Sequence, residues 1–396
     1  MSVHISWIEA ALIGTGAIVG WASTRRLNRQ APRRAPSSEY LAGVNFLVKD
    51  QPDRAVEAFL RAVAVERDMV ETQFALGALF RRRGEVDRAI RVHQDLIARE
   101  ALEPGFREQA SYALAQDYLR AGLYDRAESL LLELAQGTHY QIAALHDLVG
   151  LYETEREWER AIQMHRELSR TAKPEQPAAI AHYYCELAEL ARAAGDFPRA
   201  REQLHLARRE QKKFARAALV RADVAVDMNE PDLAVRLLRR VPLDSPALAG
   251  EVLSRLVRAL RGSNRSAQLP EVVASLAANG PEVADALAHA TIVAGELDAP
   301  ALLELARAYV AREPTVAELV ESLRPGEGAL PEPMLKRLCA ALRRQALRAA
   351  RFRCGECGFS SSNFFWQCPG CKRWDSQKPL SPSDLTAGRG GTVRPR

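Results

Sequence analysis

Two stretches decide the fold when they are laid over each other: "YLAGVNFLVKDQPDRAVEAFLRAV" (Tyr40–Val63) and "FALGALFRRRGEVDRAIRVHQDLI" (Phe74–Ile97). Gly43, Phe46, Ala55 and Phe59 of the first recur as Gly77, Phe80, Ala89 and His93 of the second, each 34 residues later. A fixed period of this length is the mark of a stacked helix-pair repeat. Small residues let the two helices of a unit close on each other, and larger ones fill the groove against the next unit.

Working outward, the pattern returns as Ala115, Tyr118 and Ala127, then as Tyr152 and Ala161. It returns again as Ala188, Ala191 and Ala200, and as Ala222, Ala225 and Ala234, so six units of tetratricopeptide (TPR) type are visible. Spacings of 38 and 39 residues within the series imply lengthened turns between units. Gly84, Gly122 and Gly195 fall where the first helix of a unit must end, a place that favours a residue with positive φ. From about Pro246 to Ala350 the pattern decays, and two or three degenerate repeats are expected, with "RGSNRSAQLP" and "RPGEGALPEP" as loops.

Composition agrees with an all-α body: 47% hydrophobic and 27% charged residues, with only 6% aromatics. The net charge of +5 is unevenly spread. Residues 1–34 carry +4 and residues 351–396 carry +5, which leaves −4 for residues 35–350. An acidic body argues against a nucleic-acid binder, which needs a broad positive surface. Nothing in the repeats supplies a nucleophile with its base, a phosphate loop or a carboxylate pair in recognisable context, so no catalytic residue is named. His93, His165 and His182 read as packing or surface residues, and Cys185 as a small buried apolar one.

At the N-terminus, Val3–Ala22 supplies 20 largely apolar residues, enough for a helix to cross a hydrocarbon core of roughly 30 Å. Trp7 and Trp21 stand near its ends, Glu9 lies within it, and Gly16 and Gly20 form a GxxxG. Arg25, Arg26, Arg29, Arg33 and Arg34 follow without an intervening acid. This charge order predicts a single-pass anchor with the body and C-terminus on the cytoplasmic side, not a cleaved signal peptide.

Near the other end, "RCGECGFSSSNFFWQCPGCKRW" (Arg353–Trp374) holds four of the six cysteines as two CxxC pairs, Cys354/Cys357 and Cys368/Cys371, ten residues apart. Each pair forms a tight knuckle able to bring two sulfurs to one metal ion, so these four are the candidate metal ligands. Gly358 is expected to supply a positive φ to the first knuckle, and Pro369 and Gly370 to set the second. Phe359, Phe364, Phe365, Trp366 and Trp374 are expected to form the module's small core. One structural zinc is the reading. Iron, as in rubredoxin, suits the same four thiolates. A zinc-ribbon nucleic-acid binder and a rubredoxin-type redox protein are the alternatives.

Anchor, TPR array and four-cysteine module in this order resemble the lipopolysaccharide assembly protein B family. The resemblance is carried by "YLAGVNFLVKDQPDRAV", "LFRRRGEVDRAIRVHQ", "DYLRAGLYDRAE", "IAHYYCELA" and "RFRCGECGFSSSNFFWQCPGCKRWDSQKP", and it is weak from about 240 to 350. It implies a non-enzymatic adaptor of the bacterial inner membrane. The partners it implies are the membrane AAA+ protease FtsH, the deacetylase that commits precursors to lipid A as client, and other inner-membrane lipopolysaccharide-assembly proteins; a homodimer is also open. It further implies a rubredoxin-like module, ligated by Cys354, Cys357, Cys368 and Cys371, that folds back on the repeats.

The expected architecture is therefore an all-α TPR-type superhelix (solenoid) with an N-terminal transmembrane helix and a C-terminal rubredoxin-like zinc module. Its expected divisions are an anchor at 1–24, a basic linker at 25–38, regular repeats at 39–245, degenerate repeats at 246–350, the metal module at 351–380 and a tail at 381–396.

Overall fold

The computed structural model describes residues 38–65, 69–172, 178–294, 300–312 and 350–380. The expected anchor with Glu9, Gly16 and Gly20, most of the linker, the second expected loop, Cys339 and the tail lie outside them. No helix among the described residues is long and apolar enough to cross a membrane. Two compact units divide between Ala144 and Leu145.

The first unit holds α1 (Ser38–Val48), α2 (Pro52–Val65), α3 (Val70–Arg82), α4 (Val86–Ile97), α5 (Pro104–Ala121), α6 (Tyr124–Leu134) and the start of α7 (Gln141–Glu155). The helices pack in sequential pairs for the reason the period gave. A Cβ on Gly43 would lie 2.6 Å from the Phe59 ring, and one on Gly77 would collide with the imidazole of His93. His93 is accordingly buried, and it does more than pack. Its Nδ1 lies 2.5 Å from Asp117 Oδ2 on α5, while Asp117 Oδ1 accepts from Arg81 Nη1 of α3 at 2.7 Å. One carboxylate thus ties three helices of successive repeats.

The second unit continues with α8 (Trp158–Thr171), α9 (Ala179–Ala193), α10 (Phe197–Glu210), α11 (Ala215–Asp227), α12 (Pro231–Leu238) and the single turn α13 (Val241–Asp244). Then come α14 (Ala249–Gly262), α15 (Leu269–Ala277), α16 (Pro281–Ala294) and α17 (Pro300–Arg312). Three short strands follow, β1 (Phe352–Cys354), β2 (Ser360–Ser361) and β3 (Gln377–Pro379), in an antiparallel sheet of order β2-β1-β3.

The same left-handed turn closes the first helix of seven pairs among the described residues, at Asp50, Gly84, Gly122, Arg156, Gly195, Asn229 and Asn264. The residue after each returns its N–H to a carbonyl five residues back, as in Glu85 to Phe80 and Leu123 to Tyr118, both 2.9 Å. Glycine is thus one solution among several, and short polar side chains or an exposed arginine accept the same conformation. The seventh turn, with Arg265 N donating to Leu260 O at 2.7 Å, lies inside "RGSNRSAQLP". That stretch is not wholly a loop, because α15 starts at Leu269. Here α14 and α15 form a helix pair in which Val257 and Leu269 replace the small residues, which is why the period fades.

A further regularity belongs to the arginine before the small residue of the second helix in the first four pairs. Arg54, Arg88, Arg126 and Arg160 lie 5.9, 3.9, 5.8 and 4.2 Å from the ring centroids of Phe46, Phe80, Tyr118 and Tyr152. Each cation covers the aromatic of its own helix pair across the turn.

Candidate metal centre and its seat on the helices

The two CxxC pairs form matching knuckles. Gly358, four residues after Cys354, has φ +76° and returns its N–H to Cys354 O at 3.0 Å. Lys372, four residues after Cys368, has φ +59° and returns its N–H to Cys368 O at 2.9 Å. The left-handed residue of the second knuckle is therefore Lys372, not Gly370. Gly370 instead leaves room for a sulfur, since a Cβ there would meet Cys357 Sγ at 3.3 Å.

These knuckles bring the Sγ atoms of Cys354, Cys357, Cys368 and Cys371 within 4.8 Å of one another. Cys354 to Cys371 is 3.6 Å and Cys357 to Cys368 is 3.7 Å. A tetrahedral ion with metal–sulfur bonds of about 2.3 Å has sulfur–sulfur edges of ~3.8 Å, so the donor set fits such an ion. Burial works against ionisation of Cys354, but the Ser376 hydroxyl and the N–H groups of Cys357 and Glu356 bring it down to about 6. Burial and the neighbouring sulfurs push Cys371 up to about 12. Four thiolates this close repel one another unless a cation holds them.

The module sits on the inner helices of the second unit through a polar and aromatic seam. Glu153 of α7 accepts three hydrogen bonds: from Tyr183 Oη at 2.6 Å and Trp374 Nε1 at 2.8 Å on Oε1, and from Gln367 Nε2 at 3.0 Å on Oε2. The Trp374 ring stacks on His182 with centroids 4.5 Å apart, and meets Tyr183 and Trp158 edge-on at 5.9 and 6.4 Å. His182, fully buried on α9, lies 2.8 Å from Asp375 Oδ2 through Nε2 and 3.4 Å from Arg216 Nη1 through Nδ1. A guanidinium can only donate, so Nδ1 accepts and Nε2 carries the proton given to Asp375. Burial lowers the His182 pKa below its ordinary value and supports this neutral form, although Asp375 opposes the shift.

Arg216, buried at the start of α11, donates to Glu186 Oε1 at 2.6 Å and to Glu189 Oε1 at 3.3 Å. Its cation also lies 5.7 Å from the Trp366 ring and 5.6 Å from the Trp374 ring.

A model described as "Rubredoxin metal binding domain" matches residues 352–379, and one described as "Tetratricopeptide repeat" matches residues 74–108 and 144–179. Lipopolysaccharide assembly protein B of Escherichia coli strain K12 is 34% identical over 384 residues, covering 94% of this chain and 98% of the relative. The chain belongs to the lipopolysaccharide assembly protein B family. The Haemophilus influenzae protein of that name is 28% identical over 396 residues, covering 93% and 97% of the two chains. Among solved structures, the C-terminal part of a TPR repeat-containing protein from Cytophaga hutchinsonii aligns with a TM-score of 0.40 at 10% identity, over 63% of this chain and 99% of that one.

Within this family member, the structure places the sequence-singled residues unequally. The four cysteines come together. The aromatics of the module form a core of its own only in part: Phe364 meets Phe352 and Trp366 edge-on at 5.3 and 4.8 Å, but Phe364 and Trp366 also pack against the helical core around Leu219, Leu253 and Leu256, Trp374 enters the seam, and Phe365 is exposed. Cys185 is buried, and burial raises its thiol pKa. His165 is buried with neither ring nitrogen hydrogen-bonded. The sequence reading of His182 as a packing or surface residue missed its contact with the module, and Glu153 and Arg216 were not singled out. Their partners in the module lie more than 100 residues away, where no local pattern reaches.

Proposed function

We propose that this chain is a non-enzymatic adaptor at the bacterial inner membrane that regulates lipopolysaccharide synthesis. In this reading it presents the lipid A-committing deacetylase to a membrane AAA+ protease of the FtsH type. Residues 3–22 would span the membrane, and the repeats would hold the client. Family membership over nearly the whole chain supports the setting, and helix-pair repeats are a scaffold for binding proteins.

The observation that carries the adaptor role is the seat of the four-cysteine module. Cys354, Cys357, Cys368 and Cys371 would together fill the shell of one ion, zinc in this reading. That ion would supply the energy that folds the module of residues 351–380. The module's polar and aromatic side chains are spent on Glu153, His182 and Arg216. Such an arrangement is a clasp that fixes the inner helices. Trp366 and Trp374, the aromatics a nucleic-acid binder would stack on bases, are spent on the helices as well.

The test is to delete residues 1–22 in cells. The truncated protein should remain folded but no longer limit the deacetylase; unchanged deacetylase levels would remove the anchor from the reading. Purified full chain should be colourless with one equivalent of zinc, whereas a visible iron absorption band would assign iron.

A further inference from the structure

The sheet of the metal module has two unlike faces. Phe352 and Cys354 of β1 are buried, with Phe352 against Phe364, which itself packs on the helical core. Arg353 between them points the other way and is exposed. Its registered partner on β3 is Lys378, also exposed, and its partner on β2 is Ser360. Lys372, exposed at the second knuckle, is the module's third exposed cation.

Like charges directly opposite each other on an antiparallel pair are destabilising. Among the described residues, neither Arg353 nor Lys378 has an acid to offset this. The module's two acids are Asp375, engaged with His182, and Glu356, which makes no ion pair with them. The fold itself gains nothing from this pairing. In the same module Phe365 is 38% exposed, whereas Phe364 and Trp366 on either side of it in the chain pack on the helical core.

We propose that this outer face of the metal module, centred on Arg353 and Lys378, is a docking surface for anionic phospholipid headgroups. Strands of three, two and three residues are too short to bind a peptide by adding a strand. Exposed, unpaired cations on a small module that also exposes an aromatic ring are the chemistry that binds a negatively charged interface, each cation contributing about fivefold to the affinity. The surface holds the module toward the leaflet that receives the positive flank of the anchor. The proposal rests on the membrane-anchored reading above.

Full chain is reconstituted in nanodiscs of phosphatidylcholine alone or of phosphatidylcholine with phosphatidylglycerol, and lysine acetylation rates are read by mass spectrometry. Lys372 and Lys378 should react several-fold more slowly in the anionic discs, with protection lost at high salt, while exposed Lys212 reacts equally in both. Arg353→Glu should abolish most of the protection and Arg353→Lys should keep it; both side chains stand in solvent, and retained metal content verifies folding. Equal rates in the two discs would overturn the proposal, as would protection that arises only on adding an acidic partner protein. If the chain does not co-elute with the discs, the anchor reading fails separately. The same labelling with phosphatidylglycerol vesicles added to free chain then decides the surface on its own.

Discussion

Glu153 shows how one side chain can connect distant parts of the chain. Its carboxylate takes donors from Tyr183, Trp374 and Gln367, the last two 221 and 214 residues further on. Hydrogen bonds to a charged acceptor contribute about 1.5–3 kcal/mol each, and losing them leaves buried donors unpaired. Glu153→Ala should therefore release the module from the helices. Hydrogen exchange across residues 351–380 should accelerate and the fluorescence of Trp374 should shift to the red, with the four cysteines still able to hold metal. His165 yields a pH prediction. Burial depresses its pKa below the ordinary 6.5, so the folded state resists a proton that the unfolded chain accepts. Its contribution is complete above pH 6.5 and is lost as pH falls below that value. His165→Leu should flatten the acid side of the stability curve measured by urea denaturation.

At the level of the element, the helix pair is specified by where a side chain is absent. At Gly43 a methyl group would lie 2.6 Å from the Phe59 ring, so Gly43→Ala should cost about 1–3 kcal/mol through forced repacking. Gly150, in the middle of α7, has open space where a methyl group would project, with nothing within 4 Å, and Gly150→Ala should stabilise by roughly 0.5–1 kcal/mol through helix propensity. The pair of thermal midpoints, one falling and one rising, checks the account. These elements were largely legible in the sequence because a repeat restates the same local constraint every 34 residues. The pair α14 and α15 was not, since Val257 and Leu269 stand where small residues would have signalled it, and only the left-handed Asn264 marks the turn. The two knuckles were legible for a similar reason, although nothing in the sequence singled out Lys372, which takes the left-handed conformation of the second.

For the whole molecule, folding of the module and order in the helices beneath it are coupled through the seam. Stripping metal with a chelator should unfold residues 351–380 and deprive Trp374, Asp375 and Gln367 of their places. Protection from hydrogen exchange should then fall in α7, α8 and α9 around Glu153, Trp158 and His182. Stability in repeat arrays passes mainly between neighbours, so residues 38–97 should keep their protection. A uniform loss along the chain would mean that the module supports the whole array.

The sequence by itself determined the helix pairs, most of their turns and the identity of the four clustered cysteines, because each depends on neighbours a few residues or one period away. Only the tertiary structure decided what the module rests on. Glu153 occupies the repeat position held by Arg81 and Leu119 in the preceding units, so the period sets no particular side chain there. His182 and Asp375 meet across 193 residues. A repeat fixes which face a residue lies on, whereas the partner that face receives is set by where the chain returns after the repeats end.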